Sequence, residues 1–125
     1  MQELEKRIQS HRDLMVWQKA MTLAEAAYRL AARLPTTETY RLGSQMTRAA
    51  ASVPANIAEG NARGTKRGYA NFLSIAKGSL METETFLMLA VRLNFLDNQE
   101  TAPALGLITE ISKMLTVLRG RLLDD

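Results

Sequence analysis

The sequence predicts an all-α protein, an up-and-down antiparallel four-helix bundle, from three observations. Apolar residues recur at spacings of three and four along four long stretches, and no stretch alternates apolar and polar residues as a strand does. Only three prolines and seven glycines interrupt 125 residues, and they gather at a few places, as long helices with short connections require. The length suits one domain with a single core, and 46% hydrophobic with 23% charged residues is the composition of an ordinary folded chain. The chain therefore divides into an N-terminal tail over residues 1–10 and a bundle domain over residues 11–125.

Met1 to Ile8 mixes charged and apolar residues without a convincing face and reads as a tail or loosely docked arm. Ser10 followed by Asp13 fits a capping box, so the first helix is expected to begin near residue 11. Leu14, Trp17, Met21, Ala24, Tyr28 and Ala31 form its expected apolar stripe, and Pro35 stops it. Thr36-Thr37-Glu38 offers the next cap, and Leu42, Met46, Ala49, Ala50, Val53 and Ile57 carry the second helix. Pro54 falls inside that pattern and is expected to kink the helix rather than end it, because the periodicity continues to Ile57.

Gly60 to Gly64 forms the next connection, with Thr65 as cap of the third helix. Tyr69, Phe72, Leu73, Ala76, Leu80, Thr83, Leu87, Ala90 and Val91 run on without a proline, with the end expected at Asp97-Asn98. Thr101 is the expected cap of the fourth helix, with Pro103 in its first turn and Ala104, Ile108, Ile111, Leu115, Leu118 and Leu122 as its stripe.

Phe86 to Val91 is apolar at six consecutive positions, and six residues at ~100° each go right round a helix. A lone bundle buries one stripe per helix, so Phe86, Met88 and Leu89 are expected at a subunit interface. The second helix carries a further polar row, Gln45, Arg48, Ser52, Asn56 and Glu59. This row reads either as a solvated face or as a polar seam with another helix or subunit.

Several kinds of chemistry are excluded by residue counts. With no cysteine and one histidine, His11, the chain has no disulfide, thiolate metal site or cysteine nucleophile, and no site that needs two histidines. Glu59, Glu82 and Glu84 lack the histidines of a di-iron bundle. Gly60 to Lys66 lacks the ending of a phosphate-binding loop and the strand that precedes one. No enzyme activity, metal or cofactor is expected. No run approaches the ~18 apolar residues of a membrane span, and the polar opening is unlike a signal peptide, so a cytoplasmic protein without membrane contact is expected.

The net charge of +3 is unevenly spread. Residues 1–40 carry six basic and five acidic side chains, residues 41–77 six and one, and residues 78–125 four and seven. The basic middle third contains Arg41, Arg48, Arg63, Lys66, Arg67 and Lys77, which become the candidate contacts to nucleic-acid phosphates. Arg63, Lys66 and Arg67 gather at the start of the third helix, a place that favours phosphate oxygens. Tyr69 is the one nearby ring and falls on the core stripe, so sequence readout by stacking is not expected.

Four runs carry a family resemblance: Asp13-Leu14-Met15-Val16-Trp17-Gln18-Lys19-Ala20, then Glu38-Thr39-Tyr40-Arg41-Leu42 with Gln45-Met46-Thr47-Arg48-Ala49-Ala50, then Ser52-Val53-Pro54-Ala55-Asn56-Ile57-Ala58-Glu59-Gly60, and Phe72-Leu73-Ser74-Ile75-Ala76-Lys77-Gly78-Ser79. Over about residues 12–95 the chain resembles the bacterial four-helix-bundle family found as 23S rRNA intervening-sequence proteins, and its last helix agrees in pattern. The resemblance implies the same fold. It also implies a relative, the accessory variability determinant of diversity-generating retroelements, a five-fold barrel that binds nucleic acid and a reverse transcriptase. From that relative come the expectations of a homopentamer, of RNA or DNA as ligand, and of a partner enzyme as the alternative ligand. Arg48, Asn56, Glu59, Gly60 and Arg63 are motif residues of this family without an assigned chemical role.

Overall fold

The computed structural model describes residues 10–124, all helix and connection without a strand. Four helices follow in order: α1 (Met15–Ala31), α2 (Ser44–Asn61), α3 (Lys66–Arg92) and α4 (Asn98–Leu123). Each packs against its neighbour in sequence and α4 closes the ring onto α1, the expected four-helix bundle. The expected tail over residues 1–10 lies, but for Ser10, outside the described residues.

Ser10 does cap a helical turn, accepting from the Arg12 amide, but the turn is a short 3₁₀ segment, His11–Asp13. The α-helix starts only at Met15, after Leu14 adopts an extended conformation. The expected α1 stripe is one residue out of phase. Val16, Ala20, Leu23, Ala27, Leu30 and Leu34 are buried, whereas Met21 and Tyr28 are exposed. Both rows have helical spacing, and the buried one pairs large aliphatics with alanines that let the neighbouring helices come close. The rejected row holds a tyrosine with a polar tip.

The second helix is entered through a 3₁₀ turn, Thr36–Glu38, and a π-helical turn, Thr39–Gly43, with no side-chain cap. From there the expected stripe holds at every position, its six members from Leu42 to Ile57 being buried. Pro54 is itself buried, and α2 continues past it to Asn61.

The α2–α3 turn relies on Gly64, whose φ of +79° suits a residue without a side chain. Thr65 caps α3 as expected, accepting from the Gly68 amide at 3.1 Å. The end of α3 falls earlier than expected. Asn94 turns left-handed at φ 62°, the Phe95 amide reaches the Ala90 carbonyl at 2.9 Å, and the Asn94 amide reaches the Val91 carbonyl at 3.0 Å. This is a Schellman stop built on asparagine. Asp97 then serves α4 as its cap, in a capping box with Glu100. Thr101, the expected cap, is instead buried in the first turn with its hydroxyl on the Asp97 carbonyl at 3.1 Å.

Candidate nucleic-acid interface

The six basic residues of the middle third occupy four places. Arg41 stands in the π-helical turn at one end of α2, 4.0 Å from Glu38. Arg48 is exposed on α2, and Arg63, Lys66 and Arg67 are exposed around the α2–α3 turn at the other end. At 1.5 Å per residue Arg41 and Arg63 lie about 30 Å apart, a length of nine or so nucleotide steps at ~3.4 Å each. Lys77 does not join them. Its ammonium donates to the Thr116 hydroxyl at 2.7 Å, which ties it to the α3–α4 flank.

Arg63 is partly committed to the fold. Its guanidinium pairs with Glu59 at 3.0 Å and lies 4.5 Å above the centre of the Phe72 ring, a cation–π contact across the α2–α3 turn. The exposed residues with the least structural duty evident from their contacts are therefore Arg48 and Arg67.

The polar row of α2 divides. Ser52 turns toward α3, where its hydroxyl and that of Ser79 are 2.9 Å apart, and the Asn56 amide donates to the Ser52 hydroxyl at 2.9 Å and carbonyl at 2.8 Å within α2. Gln45, Arg48 and Glu59 lie outside this hydrogen-bonded group, all three exposed to water. The seam is thus a contact between helices of one chain at Ser52, with Asn56 bonded to Ser52 within α2. Ser79, its buried partner, lay outside the expected stripes because serine reads as a surface residue in sequence. Asn56→Ala should cost about 1 kcal/mol, the worth of a half-buried hydrogen-bonded amide, read as a fall in urea midpoint at unchanged slope.

Below the turn, Gly60 lies close against Tyr69 and Phe72. Burial of the Tyr69 phenol raises its pKa above the ordinary value of 10.0, partly opposed by the Asn61 side-chain amide 3.5 Å from its oxygen. The folded state resists forming the phenolate, so this contribution is complete below the unfolded-state value and is lost as pH rises through the folded one. Tyr69→Phe should therefore flatten the fall of stability as pH rises above the ordinary phenol value of 10.0, as measured by urea unfolding at increasing alkaline pH.

The expected interface residues also separate. Phe86 is half-buried against the core, while Met88 and Leu89 are 49% and 42% exposed on different sides of α3. Met88 joins Val91 and Leu105 in a groove of about 330 Å³ between α3 and α4. Ile75 on the same helix and Leu93 at its end are exposed too. Among the described residues no three histidine or carboxylate side chains gather as a metal site would need. His11 stacks edge-on against Trp17 with ring centres 5.1 Å apart.

The pattern of the 23S rRNA-intervening sequence protein family matches residues 12–117. No curated protein matches the chain. Among solved structures, a crystal structure of a protein with unknown function from the S23 ribosomal protein family of Bacteroides thetaiotaomicron is similar at 25% identity and a TM-score of 0.78, covering 84% of this chain and 98% of that one. The family pattern spans most of the bundle, including the Pro54 to Gly60 run that sets the α2–α3 packing, and the protein belongs to the 23S rRNA-intervening sequence protein family.

Proposed function

We propose that the protein is a non-enzymatic, oligomeric four-helix bundle that binds RNA or DNA through phosphate contacts without reading sequence. The observation that carries this reading is the charge distribution, six basic residues against one acidic in residues 41–77. Four of the six, Arg48, Arg63, Lys66 and Arg67, are exposed along α2 and at the start of α3. Such a strip of cations displaces counterions from a phosphate backbone without distinguishing bases. The family's association by name with ribosomal RNA fits the same ligand class. A cytoplasmic location and the absence of any cofactor belong to this proposal. An electrophoretic shift assay at ~50 mM salt, with unrelated RNA and DNA, tests it: both should shift, and a shift with neither contradicts it.

Self-association is proposed on the apolar side chains left open on α3, and the number five on the resemblance to the retroelement relative. Leu89 is 42% exposed in the single chain, so Leu89→Asp costs an isolated bundle little. At a subunit contact it buries an unpaired charge. Light scattering should give several times 13.9 kDa for the unmodified protein and a smaller mass for the variant. A single-chain mass for the unmodified protein contradicts assembly. The second reading, a scaffold that docks a partner enzyme, draws on the same open apolar residues and predicts no shift with nucleic acid.

A further inference from the structure

We infer that the protein prefers single-stranded to duplex nucleic acid, because the cleft between the end of α1 and the start of α2 takes one unstacked base against Tyr28 while Tyr40 stacks another beside Arg48. The inference rests on the proposed phosphate binding and adds to it the form of the strand. The cleft measures about 280 Å³, just below the ~300 Å³ at which pockets for drug-sized ligands begin, the size for a single ring system. Tyr28 lines it from α1, and Thr39, Ser44 and Thr47 bring hydroxyls from the α2 side, while Ala31 and Gly43 add almost no side chain to its lining.

The entry to α2 shapes this cleft. The turn over Thr39–Gly43 is π-helical, wider than an α-helical turn and a form frequent at functional sites. A Cβ on Gly43 would lie 3.1 Å from the Glu38 carbonyl oxygen and 3.6 Å from a Leu34 methyl carbon, so the missing side chain lets the turn sit close on the end of α1. The Thr47 hydroxyl donates to the Gly43 carbonyl at 3.1 Å and the Ser44 carbonyl at 3.2 Å, which leaves its lone pairs to accept from a ligand. Hydroxyls both donate and accept, so together these side chains suit the polar edge of any base.

Tyr28 is 57% and Tyr40 92% exposed, so the packing of the bundle uses almost nothing of the Tyr40 ring. Arg48 follows Tyr40 by about two helical turns and shares its outward face, and Arg29, next to Tyr28, is exposed as well. Glu38, the carboxylate nearest in sequence to Tyr40, is largely covered and stands 4.0 Å from Arg41, so the face is cationic. The cleft is remote from the start of α1, since Tyr28 stands about 20 Å along that helix from Met15 and Tyr40 lies past its end. A base of any identity stacks on an open ring while its phosphate reaches a neighbouring guanidinium. The bases of a duplex are stacked on one another and offer no face to such rings. A second copy of the chain is the competing partner for Tyr40.

Fluorescence anisotropy with the full-length protein at ~50 mM salt compares a labelled single strand of about 12 nucleotides with the same strand in a duplex. The single strand should bind at least about tenfold more tightly. Tyr28→Ala combined with Tyr40→Ala should remove that preference, lowering single-strand affinity about tenfold or more while duplex affinity and the slope against salt stay unchanged, because stacking releases no counterions. Tyr28→Phe combined with Tyr40→Phe keeps both rings and should keep most of the preference. Equal affinity for the two forms, or the same loss in the alanine and phenylalanine variants, overturns the inference and leaves phosphate binding standing. Binding of neither form overturns both. If the alanine variant loses affinity for both forms together and has a smaller light-scattering mass, the tyrosines belong to a subunit contact and the inference is overturned as well.

Discussion

Gly60→Val should lower the melting temperature by about 10–15 °C, a loss of about 3 kcal/mol for a domain of this size. A Cβ at position 60 would lie 2.8 Å from the Phe72 Cβ, 3.1 Å from a Tyr69 ring carbon and 3.2 Å from the Tyr69 carbonyl oxygen. Two of these atoms are fixed to the α3 backbone and do not swing aside, so α2 and α3 must separate where they pack most extensively. Valine adds two methyl groups to that clash, and the small gain in helix propensity over glycine does not offset it. Gly78 and Gly106 are the internal comparison, since an added Cβ meets nothing within 4 Å at either. Alanine at those positions should stabilise by up to ~1 kcal/mol. Thermal unfolding reads the contrast, and equal behaviour of the three sites would remove close helix approach as the reason for Gly60.

Reversing Arg48 and Arg67 together to glutamate should weaken binding of a generic RNA by at least about tenfold at ~50 mM salt, with the melting temperature nearly unchanged. Both are exposed. Repulsion replaces attraction at each, and every phosphate no longer engaged should lower the slope of log affinity against log salt by about 0.7–0.9. Arg63 is left out because it pairs with Glu59 and covers the Phe72 ring. A glutamate there would face Glu59 one helical turn away and disturb the α2–α3 turn itself. In an assembly the loss multiplies across subunits that touch one strand. Titration by fluorescence anisotropy gives both affinity and slope, and unaltered binding would move the contact surface away from α2 and α3.

The helices were legible in the sequence wherever one face alone is apolar. α2 is the clearest case, because its stripe from Leu42 to Ile57 has no rival and every member is buried. α1 offers two rows one residue apart, and periodicity cannot choose between them. The choice falls to the fit of Ala20 and Ala27 against neighbouring helices, a tertiary effect. The α3–α4 connection shows a different limit. Asn94 stops α3 through a left-handed backbone, and Asp97 competes with Thr101 as cap, alternatives whose energies differ by little in a local reading. The basic strip was legible as composition, but its division was not. That Lys77 bonds to Thr116 and Arg63 to Glu59 depends on which helix flank each side chain meets. The polar row of α2 was legible as a row, and the part played by Ser79 was hidden because its burial comes from packing against α2 rather than from its own chemistry.

The most direct measurement of phosphate-mediated binding is the affinity for a generic RNA of about 20 nucleotides between ~50 and 200 mM salt, followed by anisotropy. An electrostatic strip predicts a straight line of log affinity against log salt with a steep negative slope, about 0.7 per phosphate engaged, the same for unrelated sequences. Absence of binding at ~50 mM salt, or binding that is indifferent to salt, would contradict it.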